Sequence, residues 1–288
     1  MSAIFKREFR SYFHTMTGPV FIAVVTGFVG LYFMIYNMIT GYPYFAYPLV
    51  SSWIVLVIAV PILTMRSFAE ERKSKTDQIL LTSPVRVIDI VMGKYLAMVA
   101  VFAIATLFLC LCPLIISSVG TAYFLVDYST ILCFFIVGCL YIAIGMYISS
   151  LTESQLIAAI LSFVVLMVMY LWYSIVNILP TDVGGTMAVL LIILALICLV
   201  IYSSTKNVTL SMIIGVIGMA AMMIVYIVNS SLYEGLLSKI LGDFSIIGTF
   251  YNFMVYYTFD LVGLLKMVIW TAVMVFLTGQ SIQKRRWN

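Results

Sequence analysis

Charge is what this sequence has least of. Only 9% of its 288 residues are Asp, Glu, Lys or Arg, whereas 64% are hydrophobic. Soluble domains carry about 25% charged and about 45–50% apolar residues. A soluble globule of this size could not cover such a composition with polar surface, which excludes a soluble enzyme, a disordered chain and a disulfide-stapled secreted scaffold. The composition therefore predicts an all-α, polytopic bundle of transmembrane helices.

Histidine and cysteine, which serve metal binding and nucleophilic catalysis, are also scarce. The one histidine, His14, precedes the first apolar run, and the five cysteines lie within apolar runs, where free thiols pack as small hydrophobic side chains. The motifs H-E-x-x-H and G-x-S-x-G and a Walker-type phosphate loop do not occur in the sequence. We therefore expect no metal site, no cofactor bound by this chain, no enzymatic activity of its own and no nucleic-acid partner.

Eight charge-poor runs have about the 20 residues that a helix needs to cross a bilayer. The sixth run, from Thr186 to Ser203, is the shortest. We therefore predict about eight spans. They cover residues 18–39, 49–67, 95–118, 129–151, 156–178, 186–203, 209–229 and 262–281.

The basic residues are concentrated on one side of this arrangement. Cytoplasmic loops carry an excess of lysine and arginine, so this side is predicted to be cytoplasmic. With the N-terminus inside, all 15 basic residues except Lys239 and Lys266 fall there, and both termini are cytoplasmic. The cytoplasmic group comprises Lys6, Arg7, Arg10, Arg66, Arg72, Lys73, Lys75, Arg86, Lys94, Lys206, Lys284, Arg285 and Arg286.

The segment ahead of the first span is amphipathic. Phe5 and Phe9 recur at helical spacing, and the basic residues Lys6, Arg7 and Arg10 lie between and beside them. This pattern predicts an interfacial helix that lies on the cytoplasmic surface of the lipid bilayer. A frayed basic leader to the first span is the alternative interpretation.

Residues 66–94 form a charged cytoplasmic loop that is too long to be a mere connection. Its part from Phe68 to Leu81 is predicted to be a polar amphipathic helix with its charged side chains toward water. The helix should stop before Pro84, because a residue that precedes proline avoids helical geometry, and a second helix should start at Pro84 and run into the third span. A rigid charged helix between two spans suits the docking of a motor subunit. A solvated loop that only fixes topology is the alternative.

The second long loop, residues 230–260, is predicted on the outer side and is unusually apolar. It contains large side chains such as Leu236, Ile240 and Phe250. An aqueous loop would not carry so many of them. We therefore predict short helices that dip back into the membrane or lie on its surface.

The charged loop also resembles a known family. Residues 64–85, which read T-M-R-S-F-A-E-E-R-K-S-K-T-D-Q-I-L-L-T-S-P-V, resemble the first cytoplasmic loop of ABC-2 type permeases, the membrane subunits of ABC exporters. The similarity is greatest to the gliding-motility-associated group, and weaker similarity covers residues 153–163 and 243–287. The sequence departs from the pattern at Lys75, where glycine is usual, at Gln78, where glutamate is usual, and in having eight spans rather than the usual six.

The resemblance implies an interfacial helix, residues 1–17, and a permease domain, residues 18–288, that forms half of a translocation pathway. The partners implied are a second permease subunit, identical or homologous, and a cytoplasmic dimer of ATPase subunits that binds ATP and Mg. An accessory extracytoplasmic protein is left open, and the location implied is the bacterial cytoplasmic membrane. The outer gate implied comprises Phe244, Phe250 and Phe253. The ATPase-coupling residues comprise Phe68, Glu70, Glu71, Arg72, Lys73, Lys75, Thr76, Leu80, Leu81 and Pro84.

Two other functions are alternatives. An ion-coupled secondary carrier or channel keeps ionisable residues within its spans, and here only Glu153 and Asp260 are candidates. A non-transporting membrane scaffold of an ABC complex would have the same apolar runs. An ATPase gene beside this one favours the permease, whereas ATP turnover that moves no substrate favours the scaffold.

The distribution of charge makes a testable prediction about topology. In a cysteine-free variant, a single cysteine at Lys206 or Lys73 should react with a membrane-impermeant thiol reagent only from the cytoplasmic side, and one at Asp182 only from outside. Labelling is measured on intact cells and on inverted vesicles. Labelling of position 206 from outside would contradict the eight-span topology.

Overall fold

The described part of the chain is largely helical. The computed structural model describes residues 1–75, 86–228, 233–242, 245–254 and 258–286, and over these residues it contains no strand. The predicted all-α polytopic bundle is therefore confirmed. The helices are α1 (Ser2–His14), α2 (Thr17–Phe33, extended by a π-helix at Met34–Ile39), α3 (Ala46–Ser51), α4 (Ile54–Thr64), α5 (Ala69–Lys73), α6 (Val87–Leu109), α7 (Cys112–Val119), α8 (Phe124–Leu151), α9 (Gln155–Ile178), α10 (Val183–Thr205), α11 (Val208–Val228), α12 (Leu236–Gly242), α13 (Ile246–Met254) and α14 (Leu261–Arg286).

Seven helical segments among the described residues are long and apolar enough to cross a membrane. Each overlaps one of the eight predicted runs. The largest difference at a start is in the third run, where α6 begins at Val87 rather than near residue 95 and therefore includes Lys94. The seven segments are Thr17–Ile39, Val87–Val119, Phe124–Leu151, Gln155–Ile178, Val183–Ser203, Ser211–Val228 and Leu261–Lys284.

The remaining predicted run, residues 49–67, is broken into two helices. A turn at Ser52 and Trp53 separates α3 from α4. The Ser52 hydroxyl donates to the carbonyl oxygen of Leu49 (3.0 Å), a local bond that competes with the helical ladder. Together α3 and α4 cover residues 46–64, which correspond to about 28 Å of helix, close to the ~30 Å of a hydrocarbon core. The pair is therefore long enough for an eighth, interrupted span.

The contacts between residues divide the protein into two compact units, of which the first comprises residues 1–170 and 249–288. The centre of this unit is α8, which is buried along most of its length and packs against α4, α6 and α14. The Phe102 ring of α6 lies 5.8 Å from the ring of Phe134 and 5.7 Å from that of Phe135, both on α8. These rings form the middle of the core.

Two glycines on α8 let neighbouring helices approach closely. A Cβ at Gly138 would lie 2.0 Å from a ring carbon of Phe102, and one at Gly145 would lie 2.3 Å from the Thr64 hydroxyl oxygen. Neither distance leaves room for a methyl group. The close contacts of α8 with α6 and α4 therefore require glycine, which has no side chain, at these two positions.

The second unit, residues 171–248, contains a helical pair. Helices α10 and α11 pack against each other and are joined at Lys206, which has a φ of +51°. Their apolar stretches are almost entirely unburied. Lipid can cover such a surface without a hydrophobic penalty, because acyl chains are as apolar as the side chains. Within the same unit, Trp172 Nε1 donates to the carbonyl oxygen of Leu241 (2.8 Å).

The predicted outer region, residues 230–260, contains the two short helices α12 and α13. Short helices therefore occur among the described residues of this region, and their position in or on the membrane stays a prediction. At the far end of the region, the Asp260 carboxylate accepts from the Asn252 side-chain amide and from the backbone N–H of Gly263, both at 2.8 Å. These bonds connect α13 to the start of α14.

The close approach at Gly138 can be tested by substitution. Gly138→Ala should lower the free energy of unfolding by about 1–3 kcal/mol, because the Phe102 ring is held between neighbouring rings and cannot move aside. Thermal unfolding of the purified protein in detergent measures the change. Gly30→Ala on α2 is the control, since nothing lies within 4 Å of a Cβ there. An equal change in the free energy of unfolding in the two variants would contradict the packing argument.

Candidate functional site

The charged loop contains a helix much shorter than predicted. Helix α5 ends at Lys73, whereas the sequence pattern predicts a helix from Phe68 to Leu81. Lys75 has a φ of +57°, in the left-handed region, so the chain turns out of helical geometry there. Four of the predicted coupling residues lie outside the described residues. They are Thr76, Leu80, Leu81 and Pro84.

The start of α5 is anchored on the end of α8. The backbone N–H groups of Phe68 and Ala69 both donate to the Ser149 hydroxyl oxygen, each at 3.2 Å. That hydroxyl in turn donates to the carbonyl oxygen of Met65 (3.1 Å). Phe68 and Ala69 are buried. One side chain of α8 therefore caps α5 and fixes its position.

Arg72 ties the other face of α5 to the same end of α8. Its Nη1 atom donates to the carbonyl oxygens of Ser150 and Thr152, both at 2.9 Å, and its Nη2 atom lies 3.7 Å from the carboxylate of Glu153. The last carbonyls of a helix have no partners within the helix and carry partial negative charge. Arg72 therefore stabilises the C-terminal end of α8 while it holds α5 in place.

An ion cluster centred on the buried Lys94 joins α1, α5 and α6. The Lys94 Nζ atom lies 2.8 Å from a Glu71 carboxylate oxygen and 3.2 Å from a Glu8 oxygen, and the Lys94 side chain is only 3% exposed. Arg7 Nη2 lies 2.6 Å from the same Glu8 oxygen and 3.5 Å from Glu71. We call Arg7, Glu8, Glu71 and Lys94 the Lys94 cluster. Its two cations balance its two carboxylates, which makes the buried ammonium tolerable.

The electrostatics of α1 agree with this arrangement. The hydrogen bond to Glu8 raises the pKa of the Arg7 guanidinium, although partial burial acts in the opposite direction. Burial also raises the pKa of Tyr12, whose hydroxyl donates to the carbonyl oxygen of Leu63 (3.5 Å). A Cβ at Gly93 would lie 2.9 Å from an Ile4 methyl carbon, so α1 lies directly on α6.

The segment predicted as an interfacial helix forms α1 and contacts the charged loop, whereas its position at the membrane surface stays a prediction. Lys6, Arg7 and Arg10 are exposed, whereas Phe5 and Phe9 are half-buried with their ring centroids 5.8 Å apart. The basic and aromatic faces thus follow the sequence pattern. The link to α5 through Glu8 is not in that pattern.

The charged residues of α5 do not all face water as predicted. Glu70, Lys73 and Lys75 are exposed, but Glu71 and Arg72 turn toward the protein. That part of the prediction is wrong because spacing within a helix cannot reveal partners on other helices.

Sequence reasoning missed Glu8, Lys94 and Ser149 as members of the site. Two signals were available. Glu8 is the one acidic residue in an otherwise basic helix, and Lys94 lies within a run of apolar residues.

Two of the three predicted gate residues are fully buried. The Phe250 ring lies 4.7 Å from that of Trp53, in the break between α3 and α4, and the Phe253 ring lies 5.4 Å from that of Phe259. Phe244 lies outside the described residues. Phe250 therefore packs against the break between α3 and α4, and the gate itself stays a prediction.

A buried carboxylate occurs at the predicted outer end of α8. Asp127 Oδ1 accepts from the backbone N–H groups of Phe45 (2.8 Å) and Ala46 (3.2 Å) at the start of α3. The predicted span over residues 129–151 leaves Asp127 before it, in an outer loop, whereas the structure buries the side chain fully. Because one oxygen is engaged by two backbone donors, Asp127 acts here as a structural cap.

One comparison with known proteins gives a match. A family model described as ABC-2 family transporter protein matches residues 15–209, more than half of the chain. The match includes α5, Lys94 and all of α8, and it ends at the start of α11. No curated protein and no solved structure matches the chain.

The Lys94 cluster leads to a testable prediction. Lys94→Met should lower the free energy of unfolding by about 3 kcal/mol, the lower end of the range for removing one partner of a buried ion pair, because two carboxylates would then face each other. Thermal unfolding in detergent measures the effect. Adding Glu8→Gln and Glu71→Gln should recover part of the loss. The matched control is Lys73→Met, at an exposed lysine of α5. An equal loss of unfolding free energy in this control would refute the stabilising role of the Lys94 cluster.

Proposed function

Because this chain belongs to the ABC-2 transporter family, we propose that it is the membrane permease subunit of an ATP-driven exporter, coupled to a separate ATPase through its first cytoplasmic loop. Multiple apolar helices of spanning length support a permease subunit. The sequence contains no phosphate-binding loop, so the energy of ATP must enter from another polypeptide.

One observation carries the coupling proposal: α5 is fixed on three helices and still presents charge to the outside. Ser149 and Arg72 attach it to α8, and Glu71 attaches it to α1 and α6 through the Lys94 cluster. Glu70 and Lys73 are exposed at the same time. A force applied to these exposed charges would reach α1, α6 and α8 together, which a mobile loop could not achieve.

The partners proposed are those that such coupling requires. A cytoplasmic ATPase dimer would bind ATP and Mg, and a second permease subunit, identical or homologous, would complete the pathway. The gliding-motility-associated group and the bacterial cytoplasmic membrane, with both termini inside, are part of the same proposal. At the other end of the pathway, Phe250 and Phe253 are proposed to seal the exit through their contacts with Trp53 and Phe259.

The docking role of α5 can be tested by exchanging its exposed charges. Glu70→Lys combined with Lys73→Glu keeps the net charge but reverses the pattern that a partner meets. Binding of the neighbour-encoded ATPase should weaken about tenfold, because each interfacial charge contributes about 0.2–1 kcal/mol and reversal adds repulsion. Co-purification at low and high salt measures the loss, which should shrink as screening increases.

The choice of substitutions separates an effect on ATPase binding from an effect on folding. Glu71 is left unchanged because its carboxylate contacts Lys94, so that a substitution there would also disturb the bundle. Lys206→Glu is the control, since Lys206 is exposed and is predicted on the same side of the membrane. If the exchanged variant inserts, retains the ATPase and transports normally, α5 is not the coupling element.

A further inference from the structure

An apolar groove lies on the outside of the first unit, between the start of α2 and the end of α4. It encloses a volume of about 190 Å³. Val20 and Val24 on one side and Ile58 and Ile62 on the other are each about half exposed, so the groove is open along its length. Phe21 and Ala59, both buried, form its floor.

The groove is shorter, measured along α2, than the hydrocarbon core is thick. Along α2 it extends from Thr17 to Val24, eight residues with a rise of about 10 Å between the first and the last. Half of a hydrocarbon core is about 15 Å. A helix of a neighbouring protein would cross the entire core and pass beyond the groove. The part of an acyl chain nearest its headgroup is about as long as the groove and would fit within it.

One end of the groove is polar and lies next to α1. Thr15 and Thr17 line this end, and their hydroxyl oxygens are 3.0 Å apart. The Tyr12 hydroxyl bonds to the carbonyl oxygen of Leu63, near the end of α4. This bond holds α1 across the end of α4, so the groove opens where the interfacial helix meets the spans.

The exposed charge of α1 near this polar end is positive. Lys6 and Arg10 on α1 are exposed, and the one acidic residue of α1, Glu8, is engaged by Lys94 and Arg7. Arg10 lies five residues before Thr15, about 8 Å along the helix axis, which is within a Debye length at physiological salt. An anionic group at the polar end would therefore be attracted by α1.

We propose that this groove binds an acyl chain of an anionic phospholipid from the cytoplasmic leaflet, with the phosphate headgroup beside Arg10 of α1. The apolar walls take the upper part of the chain, and the open side lets the lipid enter laterally from the bilayer. A bound lipid would bridge α2 and α4 next to the interfacial helix.

Native mass spectrometry of the detergent-purified protein tests the proposal. The probes are phosphatidylglycerol and phosphatidylcholine with identical acyl chains, added separately at the same concentration. Phosphatidylglycerol should form the more abundant one-lipid adduct. Val24→Trp places an indole in the groove and should reduce that adduct about tenfold, because several methylene groups lose their contacts.

Two further variants control for folding and position. Ile62→Trp fills the groove from α4 and should have the same effect, which keeps the test valid if one variant does not fold. Val164→Trp on α9 is the matched control, since Val164 is 49% exposed, close to the 45% of Val24, and does not line the groove. This variant should form as much of the phosphatidylglycerol adduct as the wild-type protein does.

A third arm tests the headgroup. Lys6→Gln combined with Arg10→Gln should reduce the phosphatidylglycerol adduct to the phosphatidylcholine level, because the attraction of basic residues for anionic lipid is lost.

Three results would overturn the proposal. The first is an unchanged phosphatidylglycerol adduct in both tryptophan variants. The second is equal binding of the two lipids by the wild-type protein. The third is loss of a dimer mass in Val24→Trp without loss of lipid, which would place a second copy of the chain in the groove instead.

Discussion

The fold at the predicted cytoplasmic end depends on the buried ammonium of Lys94. A charge that is only 3% exposed must be neutralised where it lies, because moving it away from its partners would leave it in an apolar environment. Its partners come from segments far apart in the chain, Glu8 before the first span and Glu71 after the second. The positions of α1, α5 and α6 are thereby linked, and none of the three can shift without disturbing the neutralisation of Lys94.

The long apolar helices and the helical conformation of α1 were predictable because their signals are local. An apolar run or an amphipathic repeat is complete within its own residues, and the lipid environment makes each run helical. The length of α5 was not predictable in this way. Its start depends on Ser149, which lies about 80 residues later, and its end on the left-handed conformation of Lys75. The break at Ser52 and the burial of Asp127 likewise depend on contacts that no periodicity contains.

The two units differ in how their helices are covered. In the first, α8 is surrounded by other helices, and the aromatic rings around Phe102 together with Gly138 determine its packing. In the second, α10 and α11 leave most of their apolar surface unburied. The family match ends at residue 209, so α11 lies almost entirely beyond it. The match and the packing do not coincide, however, because α10 lies within the matched residues although it is largely unburied, and α14 lies beyond them although it packs against α8.

The turn at Lys75 has a consequence for molecular recognition. A left-handed backbone such as that of Lys75, whose φ is +57°, costs a residue with a β-carbon about 1–2 kcal/mol, a cost that glycine avoids. The chain therefore stores strain at Lys75, two residues beyond the end of its anchored helix. A partner that extended α5 by two residues, through Lys75, would release this strain, and about 1 kcal/mol of released strain corresponds to roughly fivefold tighter binding. Strain at this turn would thus favour a partner that reshapes the turn over one that binds it unchanged.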